Sequence, residues 1–202
     1  MNNKKTTKER ILDSALTLFS QKGYDGVGVD LIAEQSGLKG PSIYKHFKSK
    51  EKILDTLISN VENYYEMNFG SEIHPGRIPS SMEEFIEIAM KRIEFTLHDD
   101  TIRKTRRILT MEQFRNQRIA ALATKYNLEN IQGIYQKIFQ EMMDAGMIRR
   151  DDPVMLSMTF VAPITLLIQM CDREPDREQE AMEYIKGHLN HFVSEYACSA
   201  ES

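Results

Sequence analysis

The 202-residue chain has little cysteine: Cys171 and Cys198 are too few and too far apart for a disulfide framework or a cysteine-rich metal site, so reduced thiols are expected. It lacks any alternating apolar and polar run bounded by hairpin turn residues, which argues against a strand-built core. Internal repeats and low-complexity tracts are also missing. No apolar stretch follows the basic start, because Thr6, Thr7, Lys8, Glu9 and Arg10 stand where a secretory signal would place its hydrophobic segment. A cytoplasmic protein is the expectation. One long uncharged run does occur, Pro153 to Cys171, close to the roughly 20 apolar residues that span a bilayer. Ser157, Thr159, Pro163, Thr165 and Gln169 dilute it, and a helix apolar on all sides is equally at home between a core and a partner subunit. It is read as a buried interface helix, with no membrane involved.

What is present describes a folded protein. Hydrophobic residues make up 41% and charged residues 28%, enough apolar mass to bury a core in one domain or one domain plus a small appendage. The net charge of −4 hides a division. The first sixty residues carry ten Lys or Arg against seven acids, and the remainder carries sixteen against twenty-three. A basic front and an acidic rear suggest that the front alone meets a polyanion.

Helical periodicity runs through nearly all of the chain, predicting an all-α fold of about nine helices. The capping box Thr6-x-x-Glu9 opens the first, with the stripe Ile11, Leu12, Ala15, Leu16 and Phe19 and a stop at Gly23. Two short helices, Val29 to Ser36 and Pro41 to Phe47, flank the turn Gly37-Leu38-Lys39-Gly40. Ser49 caps a fourth with the stripe Ile53, Leu54, Leu57, Ile58, Val61 and Tyr65, fading by Gly70; the breakers from Gly70 to Pro79 mark a subdomain boundary. Ser81-x-x-Glu84 starts a fifth, a sixth spans about Thr101 to Phe114, and Asn116 caps a long seventh that ends at Gly146. Asp152-Pro153 begins an eighth, and Pro175-Asp176 separates it from a ninth carrying Met182, Ile185, Leu189, Phe192, Val193 and Tyr196.

The chemistry concentrates between Val29 and Lys50. Ile32 and the small Ala33 face inward, Gly37 turns the chain, and Leu38, Ile43 and Phe47 anchor the second short helix from beneath: the spacing of a helix-turn-helix. The remainder of that second helix offers Lys39, Ser42, Tyr44, Lys45, His46 and Lys48. Hydroxyls, an imidazole and ammonium groups crowded on one short element suit phosphate oxygens and base edges together. Lys50 adds an ammonium at the start of the fourth helix, where main-chain amides already favour an anion. The blander reading makes Tyr44 and His46 half-buried packing residues and the lysines a solvated face.

Three runs together resemble the DNA-binding region of the TetR family of bacterial transcriptional repressors, over Ile11 to Leu54. They are Leu18-Phe19-Ser20-Gln21-Lys22-Gly23-Tyr24, Ile32-Ala33-Glu34-Gln35-Ser36-Gly37-Leu38, and Ser42-Ile43-Tyr44-Lys45-His46-Phe47-Lys48-Ser49-Lys50-Glu51. The chain departs from the family pattern at Val27-Gly28, where a hydroxyl pair is common before the second helix, and at Lys39-Gly40-Pro41, where Ser-Lys-Gly is common. The resemblance implies a helix-turn-helix domain over residues 1–52 and a helical effector-binding and dimerisation domain over residues 53–202. It implies phosphate contacts from Tyr44, His46 and Lys50, and places Lys39, Gly40, Pro41, Ser42 and Lys45 near base edges. The Lys4-Lys5 arm is a weaker candidate for backbone contact. The implied activity is that of a ligand-responsive repressor bound as a homodimer, through the last two helices, to a near-palindromic double-stranded DNA operator, with no cofactor.

An unidentified small-molecule effector is implied too, and Met82, Phe85, Met111, Phe114, Tyr126, Met142 and Met158 are candidate lining residues, with Met90 and Met143 beside them. The same residues also read as ordinary core fillers at helical spacing. Arg103, Lys104, Arg106 and Arg107 form a basic cluster, either a grip on an anion or a solvated face paired with acids. No enzyme constellation is visible. His188-x-x-His191 has metal-ligand spacing but no cysteine or patterned carboxylate near it, so no metal is expected, and Lys186, His188 and His191 are read as solvent-facing. The alternative to a regulator is an all-helical adaptor that binds protein and lacks sequence-specific DNA binding.

Overall fold

A computed structural model describes residues 5–69 and 78–198, without the side chains of residues 62, 65, 66, 68 and 69. Ten α-helices occur among the described residues: α1 (Thr7–Lys22), α2 (Val29–Gln35), α3 (Gly40–Tyr44), α4 (Lys50–Phe69), α5 (Met82–His98), α6 (Asp100–Glu112), α7 (Gln117–Thr124), α8 (Ile131–Asp144), α9 (Pro153–Arg173) and α10 (Glu178–Tyr196). No strand is present among those residues; a single antiparallel bridge joins Ile148 to Ala197. The all-α expectation holds. The long seventh helix expected from Asn116 corresponds to α7, a π-helical stretch Lys125–Asn130 and α8 in unbroken succession, which reconciles nine helices with ten. The expected boundary at Gly70 to Pro79 lies, up to residue 77, outside the described residues, as does the Tyr65 side chain.

The helix ends follow local chemistry. Thr6 accepts from the Glu9 N–H at 3.3 Å while the Glu9 carboxylate accepts from the Thr6 N–H at 2.7 Å, closing the expected capping box. Asn116 accepts from the amides of Arg118 and Ile119, and Asp152 from that of Val154, with Pro153 in the first turn. Asp99 caps α6 through the Ile102 amide. Gly23, Gly37 and Gly146 hold positive φ angles of 76°, 67° and 71°, which a Cβ would strain.

The chain forms two compact units. The first, here the head, comprises the chain up to Met67 together with Asp99–Ala120; the second, the body, comprises Asn68–His98 and the chain from Ala121 onward. This division does not fall at residues 52 and 53: α4 up to Met67 and α6 pack within the head. Apolar side chains of α6, Ile102, Ile108 and Leu109, are buried there, and Tyr64 on α4 donates to Asp99 at 2.8 Å.

The body closes around aromatic rings. Phe160 on α9 lies 4.8 Å from Tyr135, 4.9 Å from Phe192, and 5.4 Å from both Phe85 and Phe139, centroid to centroid. Tilted and edge-on rings at these separations add to the area they bury. α9 is long and apolar enough to cross a membrane by composition, yet Leu156, Phe160, Val161, Ile164, Ile168 and Cys171 form a stripe buried in this core. Its other side exposes Met155, Met158, Ala162 and Leu166. His188 departs from expectation: it is half-buried, with Nε2 donating to the Phe160 carbonyl at 3.0 Å, while Lys186 and His191 do face solvent.

Candidate nucleic-acid interface

The head builds a small platform for one short helix. Ile11, Ala15 and Phe19 from α1, Ile32 and Ala33 from α2, and Ile43 and Phe47 around α3 are all buried. The turn between α2 and α3 is held by its main chain: the Leu38 N–H donates to Ala33 O at 2.8 Å and the Gly37 N–H to Glu34 O at 3.0 Å. Ser36 donates back to Ile32 O at 2.7 Å, and the Arg10 guanidinium donates to the Ser36 carbonyl. α1 is thereby tied to the turn that aims α3. Gly28 precedes α2 without a side-chain cap, as the loss of the hydroxyl pair predicts.

α3 turns one apolar residue inward. Ile43 is buried, whereas Tyr44 is 58% exposed and Lys45 and His46 are exposed beside it. Lys39 stands exposed at the N-cap, Pro41 occupies the first turn, and Gly40 and Ser42 are half-buried. The Phe47 N–H donates to Ile43 O at 2.9 Å, so the helical path continues as far as the second anchor. A Cβ on Gly40 would lie 2.5 Å from Asp30 Oδ1, so this glycine lets the first turn of α2 sit against the start of α3. Asp30 thus brings a carboxylate beside the proposed reading surface.

Lys50 differs from the other cations. It is half-buried; its Nζ donates to the Tyr24 carbonyl at 2.9 Å and lies 4.1 Å from the centroid of the Tyr24 ring. Burial pushes the Tyr24 phenol above its ordinary range. Lys5 pairs with Asp13 at 2.5 Å, and that hydrogen bond raises its pKa; Lys4 lies outside the described residues.

Seven candidate effector residues scatter. Phe85 and Met142 belong to the body core with Met82 packed against it, Met143 is buried there, and Met90 lies at its edge. Tyr126 is half-buried in the π-helical stretch. Met158 lines a shallow groove of about 220 Å³ with Leu128, Ala162 and Leu166. Met111 and Phe114 are in the head and exposed, Phe114 by 89%. Of the seven, Phe85 and Met142 are buried core residues, whereas Met111, Phe114 and Met158 are exposed. Of the basic cluster, Arg103 and Lys104 pair with Asp100 at 3.3 Å and 2.6 Å and Arg107 is exposed, but Arg106 is buried.

Two side chains that sequence reasoning passed over hold this site together. One is Arg10. The other is Glu112, 2% exposed, which accepts from the Tyr24 N–H at 3.0 Å. Its position on the α6 stripe with Ile102, Thr105 and Leu109 was the available signal: an acid on an inward face needs a donor.

A short exposed helix, propped on a helix and a glycine turn within an all-helical chain, defines the class of helix-turn-helix DNA-binding proteins. Residues 11–57 match the family model of bacterial regulatory proteins of the tetR family. Over 58 residues the chain is 43% identical to IcaR, the negative transcriptional regulator of the icaADBC biofilm operon of Staphylococcus epidermidis; the match covers 29% of this chain and 31% of that one. The whole chain is similar in fold to SmeT, the repressor of the SmeDEF multidrug efflux pump of Stenotrophomonas maltophilia, with a TM-score of 0.73 and 17% identity, covering 97% of this chain and 93% of that one. It is also similar to AibR, solved with isovaleryl coenzyme A and operator DNA, with a TM-score of 0.62 and 18% identity over 81% of this chain and 86% of that one. Residues 11–57 are thus similar to the tetR-family regulators, and the likeness of the chain as a whole to solved structures is one of fold.

Proposed function

We propose that this chain is a transcriptional repressor that binds a near-palindromic operator as a dimer and answers to a small molecule. The observation that carries the reading is the exposed row Tyr44, Lys45 and His46 on a helix whose inward residues, Ile43 and Phe47, are buried. Tyr44, His46 and Lys50 contact phosphates, and Lys39, Gly40, Pro41, Ser42 and Lys45 approach base edges in the major groove. Functionally, residues 1–52 read the duplex and residues 53–202 bind effector and partner, on DNA in the cytoplasm.

The dimer forms through α9 and α10. Leu166 is 62% exposed and Met155 59% on α9, and Tyr184 is 62% exposed on α10, an apolar surface that a second copy would cover. Leu166→Glu is expected to yield monomers in sedimentation without loss of helix content; an intact dimer would move the interface elsewhere. The effector is taken up within the body, by analogy with AibR and with SmeT, which has been solved with triclosan. Control by it requires a coupling of about 1 to 3 kcal/mol between effector and operator.

Gel shift against DNA flanking the chain's own gene tests the reading. A saturable, sequence-selective shift is expected, with log K falling by about 0.9 per phosphate neutralised against log salt, for roughly four to eight phosphates per dimer. Salt-independent capture of a protein partner, with no DNA shift, would favour the adaptor instead.

A further inference from the structure

We propose that Glu112, at the end of α6, is a positioning residue for the Lys50 ammonium, acting through the Gly23-Tyr24 turn; this rests on the reading of Lys50 as a phosphate contact. Tyr24 is gripped on both sides of its Cα. Its N–H donates to Glu112 Oε1 at 3.0 Å within the buried interior of the head. Its carbonyl accepts from Lys50 Nζ at 2.9 Å, and its ring lies beneath the same ammonium at 4.1 Å. The ring is itself fixed against Phe19, at 5.3 Å between centroids.

The position of the carboxylate is unusual for a residue with only a packing task. Glu112 is 2% exposed, and Oε2 has no hydrogen-bond partner among the described residues. A buried carboxylate with one oxygen unsatisfied is costly, so a fold seeking stability alone would place an apolar side chain here. Oε1 lies where a Cβ on residue 23 would come within 2.5 Å of it, so Gly23 gives the carboxylate room as well as supplying the φ of 76° that ends α1. Acid, glycine and turn therefore form one fitted part.

The consequence concerns geometry at the duplex. A lysine has four rotatable side-chain bonds, and a free ammonium loses that freedom on meeting phosphate. Lys50 is already restrained, because Tyr24 offers it an acceptor and an aromatic face, and Tyr24 is held in turn by Glu112. Shifting the last turn of α6 moves the Tyr24 amide, and with it the carbonyl and ring on which the ammonium rests. Glu112 thereby sets how far Lys50 reaches toward a phosphate.

The test uses the full-length protein and a labelled duplex from upstream of its own gene, titrated by fluorescence anisotropy at several salt concentrations. Glu112→Gln keeps an oxygen facing the Tyr24 amide and is expected to retain the wild-type affinity and salt slope. Glu112→Leu keeps volume but lacks the acceptor, and is expected to weaken binding roughly tenfold and flatten the slope by about two per dimer, one phosphate per head. Lys50→Ala is expected to produce the same flattening, and the double variant to add little to either. A Glu112→Leu protein that melts earlier yet keeps the wild-type slope would reduce Glu112 to a structural role and overturn the proposal. An unchanged slope for Lys50→Ala would instead remove the reading of Lys50 on which it rests. Should Glu112→Leu not fold, acetylation of the DNA-free wild type decides: Lys50 is expected to react several-fold more slowly than exposed Lys45 and Lys48, and equal rates would overturn the restraint.

Discussion

Head and body solve different problems with the same helical vocabulary. In the head, Ile43 and Phe47 are buried so that Tyr44, Lys45 and His46 stand outward in a set order, and fine placement comes from polar links such as Arg10 to Ser36 and Glu112 to Tyr24. In the body, Phe85, Tyr135, Phe139, Phe160 and Phe192 fill one interior. Surfaces that read another molecule restrict residue identity; cores restrict volume and polarity.

The largest effect expected from breaking this contrast lies in the body. Phe160→Ala removes the ring around which Phe85, Tyr135, Phe139 and Phe192 pack and is expected to cost about 3 to 5 kcal/mol, read as a lower urea midpoint by circular dichroism. Tyr44→Ala should do the reverse: duplex affinity falls roughly tenfold, about 1.5 kcal/mol for a hydrogen bond to charged phosphate, while the melting temperature is unchanged. A melting temperature that fell in step would return Tyr44 to a packing role. Thr6→Ala opens the capping box of α1 and is expected to cost about 1 kcal/mol in urea unfolding.

The smallest effect is electrostatic. The Lys104 ammonium, at 2.6 Å, holds the Asp100 carboxyl below its ordinary value of 3.8. Stability from this pair is therefore present above the ordinary value and lost as pH falls through the lowered one. Asp100 is 60% exposed at its side chain, so solvent leaves only about 0.3 kcal/mol. Urea midpoints of wild type and Asp100→Asn should differ slightly at pH 6 and converge as the pH drops below 4.

Much of this was legible in one dimension because it is local. Thr6, Asn116, Asp152, Gly23 and Gly37 act within a few residues of themselves, and the helix-turn-helix is a run of such local decisions. The π-helical stretch was not legible, since its backbone angles stay close to those of an α-helix and no residue type demands it. Pairings between distant positions were hidden as well: Glu112 with Tyr24, His188 with the Phe160 carbonyl, and the interior place of Arg106. Methionine and phenylalanine stripes mark burial, and a stripe cannot say whether its neighbours leave a cavity or fill it.

The ring cluster of the body also dictates an order of construction. Phe85 arrives early in synthesis, Phe139 and Phe160 follow, and Phe192 on the last helix comes more than a hundred residues after the first. Until α10 has emerged from the ribosome the rings have no complete cover, and loop closure over such separations is slow. All pieces of the head, by contrast, are present once Ala120 has been made. A nascent chain of this protein therefore holds every segment of its head before the interior of its body can close.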